Sequence, residues 1–318
     1  MELPVIGRTE RYIQRQGLKS ESHIVTTEDG YRLTLFRLLP NGKSRGVAIL
    51  QHGLRQSSAS WLLLEQNLPL QLLDQGLEVW LANSRASKEI STHVNENISV
   101  AEFWNFSFHE IGYYDLAATV DFILPTSGFE RVQLIGFSEG AAAILILLSK
   151  RPHYNDRISS LCLVAPAVIL PRSSFTVLAA LYVTFKPILP WSLQWFVTGS
   201  NKHYGNSPKE LKHLQHLMLS GRFVEYNYGS KKNRRQYGSS KPPEYPLEKL
   251  TCPVVLHYGS ADRIVHPRDV KKLAALMVNS EQVDIIRHKK TKHLDFVTRE
   301  KVTTDVYPLI VESVVKRL

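Results

Sequence analysis

The sequence predicts an α/β fold, a mostly parallel central sheet with helices on both faces, and three observations carry that prediction. Short apolar runs alternate with helix-period segments along most of the 318 residues. Those runs are apolar at nearly every position rather than every second one, which marks strands covered on both faces. One junction between such a run and a helix, "RVQLIGFSEGAAAILILLSK" at 131–150, sets a serine between two glycines.

The elements follow in order. "SHIVTTEDGYRLTLFRLLP" (22–40) reads as a hairpin, with Asp29-Gly30 supplying the positive φ angles of a tight turn between β-favouring runs. "VAILQHG" (47–53) is a buried strand, and "SWLLLEQNLPLQLLDQG" (60–76) is helical, interrupted before Pro69 and ended by Gly76. "LEVWLAN" (77–83) is a strand, and 103–124 is mostly helix. "RVQLIG" (131–136) is a strand and 138–150 a helix. "ISSLCLVAP" (158–166), "PVVLHYG" (253–259) and "QVDIIRH" (282–288) are further strands. The segments 266–278 and 300–318 are helices between and after them.

Residues 171–245 break this rhythm, because they lack strand-like runs. They are expected to form a helical cap inserted into a core made of 1–170 and 246–318, the whole being one domain. Within the insertion, "NSPKELKHLQHLML" (206–219) carries a helix start signal, with Ser207 as cap, Pro208 in the first turn and Glu210 three residues on. "SKKNRRQYGSSK" (230–241) reads as an exposed basic loop.

Composition narrows the classes. Apolar residues make up 43% and charged residues 21%, as in a globular chain with a sizeable core. Cys162 and Cys252 are too few for a disulfide framework and lie in apolar surroundings, so buried free thiols are expected. The 39 Lys and Arg against 29 acids give a net charge of +10, which favours anionic surfaces such as lipid head groups, micelles or nucleic acid. No nucleic-acid motif accompanies that charge. The N-terminal stretch has no sustained apolar core of the signal-peptide kind. The most apolar segment, 175–198, is interrupted by Lys186, Pro187 and Pro190, and its unbroken start is shorter than the ~20 residues a spanning helix needs.

The chemistry centres on Gly136-Phe137-Ser138-Glu139-Gly140, which fits G-x-S-x-G with a strand before and a helix after. Such a serine sits in a strained turn that lifts its hydroxyl above the strand ends. The flanking glycines let strand and helix pass without colliding Cβ atoms. A serine hydroxyl needs a base, and a histidine base needs a carboxylate to fix its tautomer. The expected chain order is Ser, acid, His. Asp262, on the loop leaving 253–259, is the acid, whereas Asp269 falls in a helix and Asp284 in a strand. His293 is the base because it follows the last strand, whereas His257, His266 and His288 are less well placed. Lys289, Lys290 and Lys292 flank it. The oxyanion donors are the backbone N–H groups of Glu139 and of Leu54, in "QHGLRQ". No metal or cofactor is called for. Sequons occur at Asn97 and Asn105, with Asn105 in an aromatic helical stretch where burial is expected.

These stretches, with "VTTEDGYRLTLFR", "QHGLRQSSASW", "EVWLANSR", "EFWNFSFHEIGYYDL", "GFSEG", "VLHYGSADRIVHPRDV" and "KHLDF", resemble the acid lipase family of α/β-hydrolases, the gastric and lysosomal acid lipase type. The resemblance implies the α/β-hydrolase fold and hydrolysis of triacylglycerols or cholesteryl esters by Ser138, Asp262 and His293, with Leu54 and Glu139 as oxyanion donors. It implies a lipid ester partner met at a lipid droplet, micelle or membrane surface, and a secreted or lysosomal setting. This chain departs from the family's G-H-S-Q-G at Phe137 and Glu139, from its "NSRG" at Ala86, and in its shorter cap, which lacks the family's cap cysteines. Residues 175–197, with Trp191 and Trp195, are expected to line an acyl pocket or touch a lipid interface. The competing readings are a short-chain carboxylesterase and a non-catalytic lipid carrier on a lipase-like fold.

Overall fold

The computed structural model describes residues 7–87, 89, 91–172 and 207–318. Its strands are β1 Ser20–Thr26, β2 Tyr31–Leu38, β3 Gly46–Gln51, β4 Leu77–Ala82, β5 Thr92–His93, β6 Val132–Phe137, β7 Ile158–Val164, β8 Val254–Gly259 and β9 Val283–His288. They form one sheet in the order β1-β2-β4-β3-β6-β7-β8-β9, with the short β5 beside β2. β1, β2 and β4 pair antiparallel, and from β4 to β9 every pair is parallel.

The sheet is central because its strands are apolar on both faces. β3, β4, β6 and β8 are buried at all six positions. Successive side chains then feed opposite layers. Val47 and Ile49 of β3, with Val132 and Leu134 of β6, join one core with Leu116, Val120, Ile123 and the helix Glu139–Lys150. Ala48 and Leu50, with Ile135 and Phe137, join the other with Leu68, Leu72, Ile310 and Val314. The helix Glu139–Lys150 is buried from Glu139 to Ser149. Each Leu or Ile it buries contributes about 1.5–3 kcal/mol. The edge strands carry the exposed positions, as in β1 and β9.

The expected strands and most helices are present. The helix after Ser207 is Pro208–Ser220, with the Ser207 side chain accepting from Glu210 N–H at 3.1 Å. Several expectations need correction. The basic run is a helix, Ser230–Tyr237, not a loop. Gly238 is its left-handed C-terminal residue (φ +71°), and Asn233, on the buried face of the helix, is tied to Asn227, Tyr228 and Ser240. Of Asp29-Gly30, only Gly30 has positive φ, at +91°. The segment 103–124 is broken, with pieces Phe108–Glu110, a wide π-type turn Ile111–Asp115 and Leu116–Ser127. Ser107 and Glu110 cap the restart reciprocally. At Gly112 an added Cβ would lie 2.4 Å from Ala143 O, so glycine lets this turn press on the neighbouring helix. The C-terminal helix is split into Val302–Asp305 and Tyr307–Val315, with Pro308 in the first turn of the second piece.

Between β7 and β8 lies the predicted insertion. The acyl-pocket expectation for 175–197, with Trp191 and Trp195, falls outside the described residues. Cys162 and Cys252 are free and buried. Among the described residues no helix is long and apolar enough to cross a membrane.

Candidate active site

Ser138 follows β6 directly, at the C-terminal edge of the sheet between β3 and β7. Its φ of +55° and ψ of −114° form a sharp turn from strand into helix. Ser138 N–H donates to Val164 O at 2.9 Å, and Ser138 O accepts from Ala141 N–H at 3.2 Å and Ala167 N–H at 3.1 Å. The two glycines are required by contact. A Cβ at Gly136 would lie 2.8 Å from Ala141 N, and one at Gly140 would lie 2.5 Å from Gln51 O.

Asp262 lies on the loop leaving β8. Its Oδ1 accepts from the N–H groups of Ile264 at 2.7 Å and Val265 at 2.9 Å, which fixes the carboxylate against its own turn. Its Oδ2 is left for His293 Nδ1, 2.8 Å away. His293 lies after β9, on a loop held to the β8 loop by Ala261 N–H to Thr291 O at 3.1 Å and Lys290 N–H to the Ser260 hydroxyl at 2.9 Å. Gly259 permits this closeness, because its Cβ would stand 2.1 Å from Thr291 O. His293 Nε2 is 2.8 Å from Ser138 Oγ. A carboxylate only accepts, so Nδ1 carries the imidazole proton and Nε2 faces the serine hydroxyl as acceptor. All three side chains are buried, and the Phe137 ring lies 5.1 Å from the imidazole.

The other titratable candidates are elsewhere. His257 and His288 pair at 3.0 Å inside the fold, and burial pushes them down to about 3 and about 4. His266 caps the helix Pro267–Ala274, accepting from Arg268 N–H at 3.2 Å. Asp269 pairs with Arg172, and Asp284 with Arg317 at 3.1 Å.

A cavity of about 190 Å³ opens beside Ser138 and His293. Leu54, Phe108, Ala167, Leu170, Leu214 and Met218 make its wall apolar, and Glu139 also lines it. The amides of Leu54 and Glu139 donate to no acceptor among the described residues. Gly53 keeps that side open, since a Cβ there would meet the Ser138 Cβ at 3.1 Å. The sequence reading had not picked out Phe108, Leu214 and Met218. The four-residue spacing of Leu214 and Met218 on one helix face was the available signal.

Two neighbouring features settle expectations about the surroundings. Arg85 of "NSRA" is fully enclosed between Asp115 and Asp29, at 2.7 and 2.6 Å, with its guanidinium 4.0 Å from the Tyr31 ring. Asn97 is exposed, and so is Asn105, contrary to the expected burial. The reason is a gap between helices. The helix Val100–Phe103 ends before Asn105, and the next begins after Ser107.

Comparison with known proteins bears on the fold and the family. Residues 9–65 match a family model described as a partial alpha/beta-hydrolase lipase region, and residues 47–299 match the alpha/beta hydrolase fold. The chain is 30% identical to Lipase 1 of Drosophila melanogaster, over 91% of this chain and 75% of that protein. It is 29% identical to gastric triacylglycerol lipase of Rattus norvegicus, over 92% and 87%. It is 28% identical to lysosomal acid lipase/cholesteryl ester hydrolase of Macaca fascicularis, over 88% and 84%. In fold it is similar to an esterase of Pyrococcus furiosus, with a TM-score of 0.57 at 16% identity over 95% of this chain and 96% of that one. With the fold model matched across most of its length and a relative of this identity over nine-tenths of it, the chain belongs to the acid lipase family of the α/β-hydrolase superfamily.

Proposed function

We propose that this chain is a serine hydrolase that cleaves carboxylic esters of lipids, triacylglycerols or cholesteryl esters, through an acyl-enzyme. The observation that carries the reading is the unbroken pair of 2.8 Å contacts from Ser138 Oγ to His293 and from His293 to Asp262, at the wall of an apolar cavity. Ser138 Oγ attacks the ester carbonyl carbon while His293 Nε2 takes the hydroxyl proton. The carbonyl π pair moves to its oxygen, where the amides of Leu54 and Glu139 hold the negative charge. Collapse breaks the bond to the alcohol oxygen, which leaves with the proton from His293. Water then gives a proton to His293 and adds to the acyl carbon, and collapse breaks the bond to Ser138 Oγ, which takes the proton back from His293 as the acid is released. Asp262 keeps the imidazole oriented and stabilises its charged form. None of these steps calls on a metal or cofactor. The names of the gastric triacylglycerol lipase and of the lysosomal acid lipase/cholesteryl ester hydrolase support a lipid ester as substrate; that it is met at a droplet, micelle or membrane surface, in a secreted or lysosomal setting, is part of the proposal.

The test is hydrolysis by the Ser138→Ala variant, on emulsified long-chain and soluble short-chain esters. The expected loss is about 10⁴-fold or more on both; a variant as active as the parent chain would place the chemistry elsewhere. Parent activity confined to short acyl chains would favour the carboxylesterase, a reading that the modest cavity supports. Binding of lipid without turnover would favour the carrier.

A further inference from the structure

The cavity wall next to Ser138 holds a carboxyl group with an unpartnered oxygen. Glu139 is 8% exposed and lines the cavity, yet its Oε2 is fully enclosed and makes no hydrogen bond among the described residues. A second carboxyl stands in the same condition. Glu210, on the helix Pro208–Ser220, is 2% exposed, and its Oε1 is likewise enclosed without a partner. Leu214 and Met218, one and two turns beyond Glu210 on that helix, line the same cavity.

Ionisable groups approach from each neighbouring element. From the helical turn 108–115 come His109, Glu110, paired with Lys209, and Asp115, paired with Arg85. From the end of β3 comes His52, neutral because burial pushes it down to about 4. The helix bearing Glu210 also carries His213, pushed down to about 3 by burial. From the loops after β8 and β9 come Asp262 with His293, and the exposed Arg263 and Lys292. Glu110, Asp115 and Asp262 thus each have a basic partner, and Glu139 and Glu210 form no ion pair among the described residues. An unpaired carboxylate in an apolar wall is costly, and the group takes up a proton instead. Burial accordingly pushes Glu139 up to about 8. Glu210 is raised as well, by burial first and then by the neighbouring carboxyl of Glu139. At neutral pH, Glu139 is therefore an uncharged acid, and its Oε2 has no hydrogen-bond partner among the described residues.

Resting on the hydrolase reading above, we propose that Glu139 is a substrate-contacting donor, whose neutral carboxylic acid offers its O–H to an uncharged ester, ether or hydroxyl oxygen of the substrate. Ionisation removes that donor. It also sets a negative charge beside the amide of the same residue, where the oxyanion forms.

The rate of Ser138 labelling by a fluorophosphonate, followed across pH, tests this. For the parent chain the rate should fall roughly fivefold or more between about pH 7 and about pH 9.5. Glu139→Gln has the same size and no charge at any pH, and its profile should lack that fall. A parent profile without the fall, or a variant falling in parallel, overturns the role of Glu139 while leaving the hydrolase reading standing. No labelling at any pH overturns both. The infrared carbonyl stretch of a protonated carboxyl gives a second readout, taken as the difference between the parent chain and Glu139→Gln because Glu210 is raised as well. The difference band should be present at neutral pH and disappear as pH rises through about 8; its absence at neutral pH overturns the proposal.

Discussion

Ser138 holds a backbone conformation that residues other than glycine rarely adopt, at a cost of about 1–3 kcal/mol. What keeps it there is the close passage of β6, the following helix and β3, and that passage depends on Gly136 and Gly140. Replacing Gly140 by Ala gains about 1 kcal/mol of helix propensity. Against this, the new Cβ would stand 2.5 Å from Gln51 O and 2.6 Å from His52 O, both backbone atoms fixed at the end of β3. Overlap with backbone outweighs propensity, so Gly140→Ala should lower stability by about 1–3 kcal/mol. A urea midpoint equal to that of the parent chain would contradict this. The glycines and the serine were legible in sequence because only one arrangement of a strand, a tight turn and a helix needs all three. The protonated state of Glu139 was not legible. The sequence marked Glu139 only as a departure beside the nucleophile, and the missing ion pair among the described residues is a property of the folded chain.

At the scale of elements, strands were read most securely, because a run buried on both faces has no other use in a chain of this composition. β3, β4, β6, β7, β8 and β9 fall within about two residues of the expected runs. Asp262 and His293 could be picked because each follows such a strand, and the parallel pairing of β8 with β9 brings both loops to one edge. Helices were read less well where local bonds decide. The basic segment is helical because Asn233 turns inward and Gly238 ends it, and both residues otherwise favour turns. The break before Phe108 comes from a cap made by Ser107 and Glu110 inside an aromatic stretch whose periodicity suggested continuity.

Across the whole molecule, buried ionisable groups set the pH range of the fold. Burial pushes His52 and His288 down to about 4 and His213 and His257 down to about 3. The folded chain holds them neutral, whereas an unfolded chain protonates them near about 6.5. Their contribution is therefore whole above that value and is lost as pH falls from about 6.5 toward about 4. Glu139 and Asp115, pushed up to about 8 and about 6, act in the opposite sense. Their contribution is whole below the usual carboxylate range and is lost as pH rises through about 6 and about 8. Replacing His257, whose Nε2 is enclosed without a partner among the described residues, by Asn should reduce the fall in urea midpoint between about pH 7 and about pH 4.5. A pH slope equal to that of the parent chain would contradict the assignment.

Hydrolysis by this chain depends on three side chains, from the ends of β6, β8 and β9, making one hydroxyl reactive. The most direct measurement is the mass of the intact chain and of its peptides after treatment with a fluorophosphonate at neutral pH. A single adduct on Ser138, formed within minutes and lost when His293 is replaced by Ala, is the predicted result. An unmodified Ser138, or an adduct on another serine, would contradict it.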